Sequence, residues 1–166
     1  MRIIVSDSSC LIDLRKGRLL GPFLKLPYEL VIPDVLLENE LLSFTKREIA
    51  LMRREMTVAT LGGSGIERVG TMIAESPSLS FYDGFAFVVA EDRPGCILLT
   101  GDRRLREKAE GARMECRGIL WTVDEIGKAR TATRARLLKA LETWRDDPLV
   151  RLPHQELGRM IVRYKT

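Results

Sequence analysis

Short apolar runs alternating with helix-like stretches constrain this chain more than any other feature. Ile3-Ile4-Val5 is apolar without polar alternation, as a strand covered on both faces would be. Residues 9–16 follow with helical character, Ser8 or Ser9 as N-cap and Gly17 as terminator. The same change of pattern recurs down the chain. Strands are expected at 28–32, 56–61, 96–99 and 113–116. Helices are expected at 19–26, 34–54, 66–75, 80–91, 103–110, 122–130, 133–144 and 154–164. Strands alternating with helices predict a three-layer α/β/α sandwich around a mostly parallel sheet. At 166 residues one domain is expected, burying roughly two-thirds of its unfolded surface. Its organisation is read as a unit at 1–128 with a helical extension, 129–166, packed on it.

Carboxylates gather at the ends of these elements. Asp7 follows the first strand, and Asp102 follows strand 96–99 through Thr100-Gly101. Glu38 and Glu40 lie just inside the helix that opens at Pro33-Asp34, and Asp83 begins the apolar helix Phe85 to Ala90. In a parallel sheet the carboxyl ends of strands and the adjacent helix starts converge on one crevice. Oxygen donors gathered there suit Mg²⁺ or Mn²⁺ and phosphoryl chemistry. The chain has one histidine, His154, so a histidine-pair mechanism within one chain is excluded and a His-ligated zinc site nearly so. Each acid also has a plainer reading: Asp7 and Asp102 as helix caps, Asp83 as a first-turn acid favoured by the helix dipole, one of the two glutamates as a solvated side chain.

Basic residues exceed acidic ones by 27 to 23, which permits a polyanionic partner without demanding it. Arg103, Arg104, Arg106 and Lys108 crowd the start of a helix, against its dipole, unless an anion comes near. Contact with RNA phosphate is one reading and a solvated face the other. Lys128, Arg130, Arg134, Arg136 and Lys139 form a second basic stretch that reads equally as a surface helix. Gly62-Gly63-Ser64-Gly65 lacks the Gly-Lys-Ser/Thr of a phosphate loop and is expected as a turn. The three cysteines, without C-x-x-C spacing, are expected reduced. No leader or membrane span is visible in the sequence, so a cytoplasmic location is expected.

The segments Ile4-Val5-Ser6-Asp7-Ser8-Ser9-Cys10-Leu11-Ile12, Pro33 to Leu41, Leu79-Ser80-Phe81-Tyr82-Asp83 and Leu98-Leu99-Thr100-Gly101-Asp102-Arg103-Arg104-Leu105, in that order, resemble PIN-domain nucleases. Within that superfamily they resemble the VapC-type toxins of toxin–antitoxin pairs. The resemblance covers residues 1–125. It implies a catalytic and metal-binding set of Asp7, Glu38, Asp83 and Asp102 around Mg²⁺ or Mn²⁺, with Ser9 and Thr100 in support and Arg103, Arg104 and Arg106 on RNA. Glu38 follows Val35 as in the family's helix, whereas Glu40 precedes Leu41 as in its Glu-Leu step. On one helix the two sit about 200° apart, so only one can face the crevice, and Glu38 is the expectation. The implied activity is metal-dependent RNA cleavage, as a toxin held by an antitoxin or as a housekeeping RNA-processing nuclease. A PIN-like binding module without activity is the third possibility. A dehalogenase-type phosphatase is excluded because Ser9 stands where its second aspartate belongs. A homodimer and an antitoxin are the implied partners, through segment 14–26 and helix 34–54.

Overall fold

The sheet is built from strands too short and too apolar to stand alone. β1 (Ile3–Ser6), β2 (Glu29–Pro33), β3 (Thr57–Ala59), β4 (Ile97–Leu99) and β5 (Glu115–Arg117) pair in the order β3-β2-β1-β4-β5, all parallel. The computed structural model describes residues 1–166. Parallel neighbours cannot be joined by a tight turn, so each connection passes through helices. These are α1 (Ser8–Lys16), α2 (Leu20–Leu24), α3 (Asp34–Asn39), α4 (Lys46–Glu55), α5 (Gly63–Glu75), α6 (Phe81–Glu91), α7 (Arg103–Gly111), α8 (Ile119–Ala129), α9 (Arg134–Asp146) and α10 (His154–Lys165). The three-layer α/β/α expectation holds, with a sheet that is wholly rather than mostly parallel.

Burial follows from that covering. Every residue of β4 is buried, as are Ile4, Val5, Leu30, Val31 and Ile32, while edge strands β3 and β5 are partly exposed. α6 packs directly on β1, β2 and β4, with α5, α3 and α7 beside it. A second group joins α1, α2, α8, α9 and α10. α6 carries buried residues from Gly84 to Ala90 without a break, so its sequence is apolar all round rather than striped. No helix is long and apolar enough to cross a membrane.

The residues after 128 are part of the same core. Leu137, Leu141, Trp144, Leu157, Met160 and Ile161 are all buried within its single cluster. Trp144 Nε1 donates to the carbonyl of Asp13, and its ring lies so close to Gly17 that a Cβ there would sit 2.8 Å from it. Gly17 therefore stands where α1 must let α9 approach.

Two expectations are corrected. The helix over 34–54 is two helices. Glu40 leaves α3, and Thr45 starts α4 through a capping box in which its hydroxyl and Glu48 exchange hydrogen bonds with each other's backbone amides. The glycine-rich segment is not a free turn. Gly62 is the N-cap of α5, and Gly63 to Gly65 form its first turn. Within segment 14–26, Leu14, Leu19, Leu20, Phe23 and Leu24 are buried.

Candidate active site

The strand order places a topological switch beside β1. The chain runs β1-β2-β3 outward on one side, then crosses to β4 on the other. Neighbouring strands whose connections depart in opposite directions leave a crevice at their carboxyl ends. Asp7 leaves β1 and Asp102 follows β4 at that point. The backbone is tied across the gap, with Asp7 N–H donating to the Leu99 carbonyl at 3.0 Å.

Asp7 is a buried carboxylate, 4% exposed. Ser9 Oγ donates to its Oδ1 at 2.7 Å, the Cys10 amide donates to the same oxygen at 3.3 Å, and the Thr100 hydroxyl donates to Oδ2. The two hydroxyls also stitch the facing loops. Ser9 Oγ accepts from Gly101 N–H at 3.1 Å, and Thr100 Oγ1 accepts from Asp102 N–H at 3.0 Å. Burial pushes the Asp7 carboxyl up to about 6; the three hydrogen bonds pull it down, and the charge of Asp83 adds to the rise. A carboxyl so placed favours any nearby cation.

The other acids divide. Asp102 caps α7, its Oδ1 accepting from Leu105 N–H at 2.8 Å, with Oδ2 free of protein hydrogen bonds. Asp83 sits in the capping box of α6 with Ser80, Oδ2 accepting from Ser80 N–H at 2.8 Å and Oδ1 free. The cap readings of Asp7 and Asp102 and the first-turn reading of Asp83 are thus realised, and Asp102 and Asp83 each keep one oxygen free. Glu40 receives a hydrogen bond from Ser8 Oγ at 2.8 Å, and its carboxyl is raised by burial and by Asp83, opposed by Ser8. Glu38 is exposed and faces Arg53 at 3.9 Å. Glu40, not Glu38, is thus the glutamate beside Ser8 and in the field of Asp83. Glu40 is the C-cap of α3 and keeps a helical hydrogen bond to the Leu36 carbonyl, so the two glutamates lie on different sides.

A metal ion would have to be held by these oxygens. No group of three or more His, Cys, Asp or Glu side chains is gathered tightly enough to form a closed cage. Mg²⁺, however, is ordinarily held by one or two carboxylates, with waters and substrate phosphate completing its shell. Hard oxygen donors with open positions fit that ion and fit poorly a cation that needs a complete protein cage.

A family model described as a PIN domain matches residues 3–165. The chain belongs to the PIN-domain family. The match reaches through α9 and α10, beyond the motifs that carried the resemblance. No curated protein matches the chain. PIN domains are generally nucleases, so this one has a nuclease-type fold.

Beside the acids of this PIN domain lies a cleft of about 1100 Å³. Ser9, Thr100 and Asp102 form its inner end, and α7, the start of α8 and segment 149–156 form its walls. The expected basic residues behave differently from one another. Arg103 is exposed and paired with Glu107 at 2.9 Å. Arg106 is half-buried and donates to the Thr100 carbonyl at 3.1 Å, in a space that Gly118 leaves open. Its first effect is to fix the residue that holds Asp7. Arg104 has no carboxylate within ion-pair distance. Sequence reasoning missed Arg117, Trp121, Arg151 and Asp13, which also line the cleft. They come from three distant segments and carry no local signal. The second basic stretch is largely structural: Arg134 donates to the Arg163 and Tyr164 carbonyls at the end of α10, and Arg136 to the Arg18 carbonyl at 2.6 Å.

Proposed function

We propose that this PIN domain is a metal-dependent endoribonuclease. The observation that carries the reading is Asp7: a buried carboxylate at the sheet's switch point, in the field of Asp83, held by Ser9 and Thr100, which themselves line a cleft that also carries arginines. Asp7 and Asp102 would hold Mg²⁺ or Mn²⁺, with Asp83 and Glu40 reaching it through water. When bound, the ion lowers the pKa of a water and offsets charge on the phosphate under attack. Ser9 and Thr100 orient the Asp7 carboxylate so that its charge faces the crevice. Asp83 and Glu40 keep negative charge close enough that a cation is favoured there over an empty pocket. Arg104 supplies positive charge at the edge, where a phosphodiester backbone would pass.

The same sequence motifs support a toxin restrained by an antitoxin. The apolar side chains of segment 14–26 are occupied in the core, so a partner or a second copy would draw on other surface. Leu42, 81% exposed, follows α3, and Phe81, 49% exposed, heads α6; the two helices pack together. The test is cleavage of single-stranded RNA with Mg²⁺ or Mn²⁺. Loss of cleavage in EDTA, in Asp7→Asn and in Asp102→Asn, with the fold preserved, is the expected result. Cleavage persisting in any of the three overturns the mechanism. Growth arrest on expression, relieved by a neighbouring gene, is the expected mark of the toxin role; harmless expression favours a housekeeping enzyme.

A further inference from the structure

The cleft that opens from the acids is longer and more cationic than positioning one phosphate requires. Its volume, about 1100 Å³, lies at the upper limit of small-molecule pockets, which run to roughly 1,000 Å³. It meets the site at Asp102 and at Ser9 and Thr100, the two hydroxyls bonded to Asp7. Two of its arginines, Arg104 and Arg151, are exposed and have no carboxylate partner, unlike Arg2, Arg54, Arg68 and Arg103, which are all paired. Arg104 stands on α7 and Arg151 on the segment before α10; both line the cleft, which also carries the acids Asp13 and Glu156. One aromatic ring, that of the half-buried Trp121, lines the same cleft beside Arg117. The Arg117 guanidinium lies over the Trp121 ring at 5.9 Å, and Tyr28 meets that ring edge-on at 6.0 Å.

Unpaired cations and a guanidinium-on-indole platform in one cleft match the needs of an unpaired strand. The backbone of such a strand follows the charges, and its bases, free of partners, stack on flat side chains or guanidinium planes. A duplex keeps its bases turned inward and would leave that platform facing a phosphate backbone. Leu149 adds an exposed apolar side chain in the same cleft, 80% accessible.

We propose that this cleft is the track for single-stranded RNA on its way to the carboxylates, with segment 149–156 as its outer wall, Arg104 and Arg151 on backbone phosphates, and the Arg117–Trp121 pair under a base. The proposal rests on the ribonuclease reading for the choice of RNA and extends it to a strand path and to residues outside the sequence motifs. It also explains why α9 and α10 matter beyond the core they complete, since they hold in place the wall that faces α7.

The experiment is binding of a short, unstructured, dye-labelled RNA in EDTA, where cleavage is not required. The double variant Arg104→Ala/Arg151→Ala alters only exposed side chains. It is expected to bind about tenfold more weakly, with the dependence of log affinity on log salt shallower by about 1.4, since each phosphate contact to a single strand contributes about 0.7. Trp121→Leu is expected to weaken binding and Trp121→Phe to restore most of it, because a ring and not a particular contact is needed; a melting curve checks that each variant is folded. Duplex RNA of the same sequence is expected to compete poorly. Wild-type affinity and salt slope in the arginine pair overturn the track, and so does a duplex that binds as tightly as the strand. If the wild type cleaves RNA but the arginine pair leaves binding unchanged, the track fails and the nuclease reading stands. If binding follows the cleft but neither Mg²⁺ nor Mn²⁺ brings cleavage, the nuclease reading fails and the track stands.

Discussion

Asp7 shows how a site residue can work against the fold that contains it. Its carboxyl titrates near 6 in the folded chain and near 3.8 when unperturbed. Below the lower value it is protonated in both folded and unfolded chains and makes no difference. Between the two values only the folded chain holds the proton, so stability falls as pH rises through that window. That difference amounts to about 3 kcal/mol by neutral pH. Asp7→Asn removes the buried charge. The variant should therefore melt higher than wild type at neutral pH without divalent cation, and no higher near pH 4. A variant that melts lower at neutral pH would mean that the hydrogen bonds from Ser9, Cys10 and Thr100 outweigh the burial. The glutamates give a second comparison. Glu40→Gln should reduce cleavage at least about 100-fold, the scale expected for a group acting at the reacting centre, while Glu38→Gln should leave it within about twofold. The opposite pattern would return the role to Glu38.

Elements differ in how plainly the sequence announces them, and the reasons are physical. Asp7 and Asp102 were legible because a carboxylate after an apolar run, followed by a helix, is both a cap and a crevice residue. Asp83 was legible through Ser80, three residues earlier, which forms its capping box. The break between α3 and α4 was missed because Leu41 and Phe44 keep the region apolar and both are buried. Thr45 with Glu48 was the available signal, since a hydroxyl followed three residues later by glutamate marks a new helix start. Glu40, the C-cap of α3, still donates its N–H to the Leu36 carbonyl, so only one of the two glutamates faces the site, and it is Glu40 that meets Ser8. Arg117, Trp121 and Arg151 had no such signal, because only tertiary packing brings them to one cleft. The contact of α1 with α9 is of the same kind. Gly17 looked like a simple helix stop, yet an added methyl would meet the Trp144 ring at 2.8 Å. Gly17→Ala should therefore destabilise the protein by about 1–3 kcal/mol, the usual range for overpacking a core. Denaturant unfolding measures it. An unchanged midpoint would mean that Trp144 can move without loss, although its indole N–H is bonded to the Asp13 carbonyl.

At the scale of the whole molecule, the motifs end well before the chain does, yet the core does not. β5 closes the sheet at Arg117, and the motif-bearing residues would be complete by the end of α8. What lies beyond still fills space that α1 and α8 cannot fill alone. α9 packs on both, and α10 packs on α9. Leu137, Ala140, Leu141 and Trp144 are each at most 1% exposed. Polar ties reinforce the docking: Thr131 Oγ1 donates to the Pro22 carbonyl at 2.9 Å, Lys16 pairs with Asp147 at 3.3 Å, and Arg136 donates to the Arg18 carbonyl. Losing one large buried side chain ordinarily costs about 2–5 kcal/mol, and truncation would remove several together. That loss is comparable to the roughly 5–15 kcal/mol by which domains are stable. A chain shortened to end at residue 130 should therefore lose its cooperative melt and expose the apolar faces of α1, α2 and α8, seen as dye binding and aggregation. If the shortened chain melts within a few degrees of the full one, residues 131–166 are an accessory to an independently stable unit. The full chain's melt then decides between a single core and a core with an appendage, because only the first unfolds in one transition.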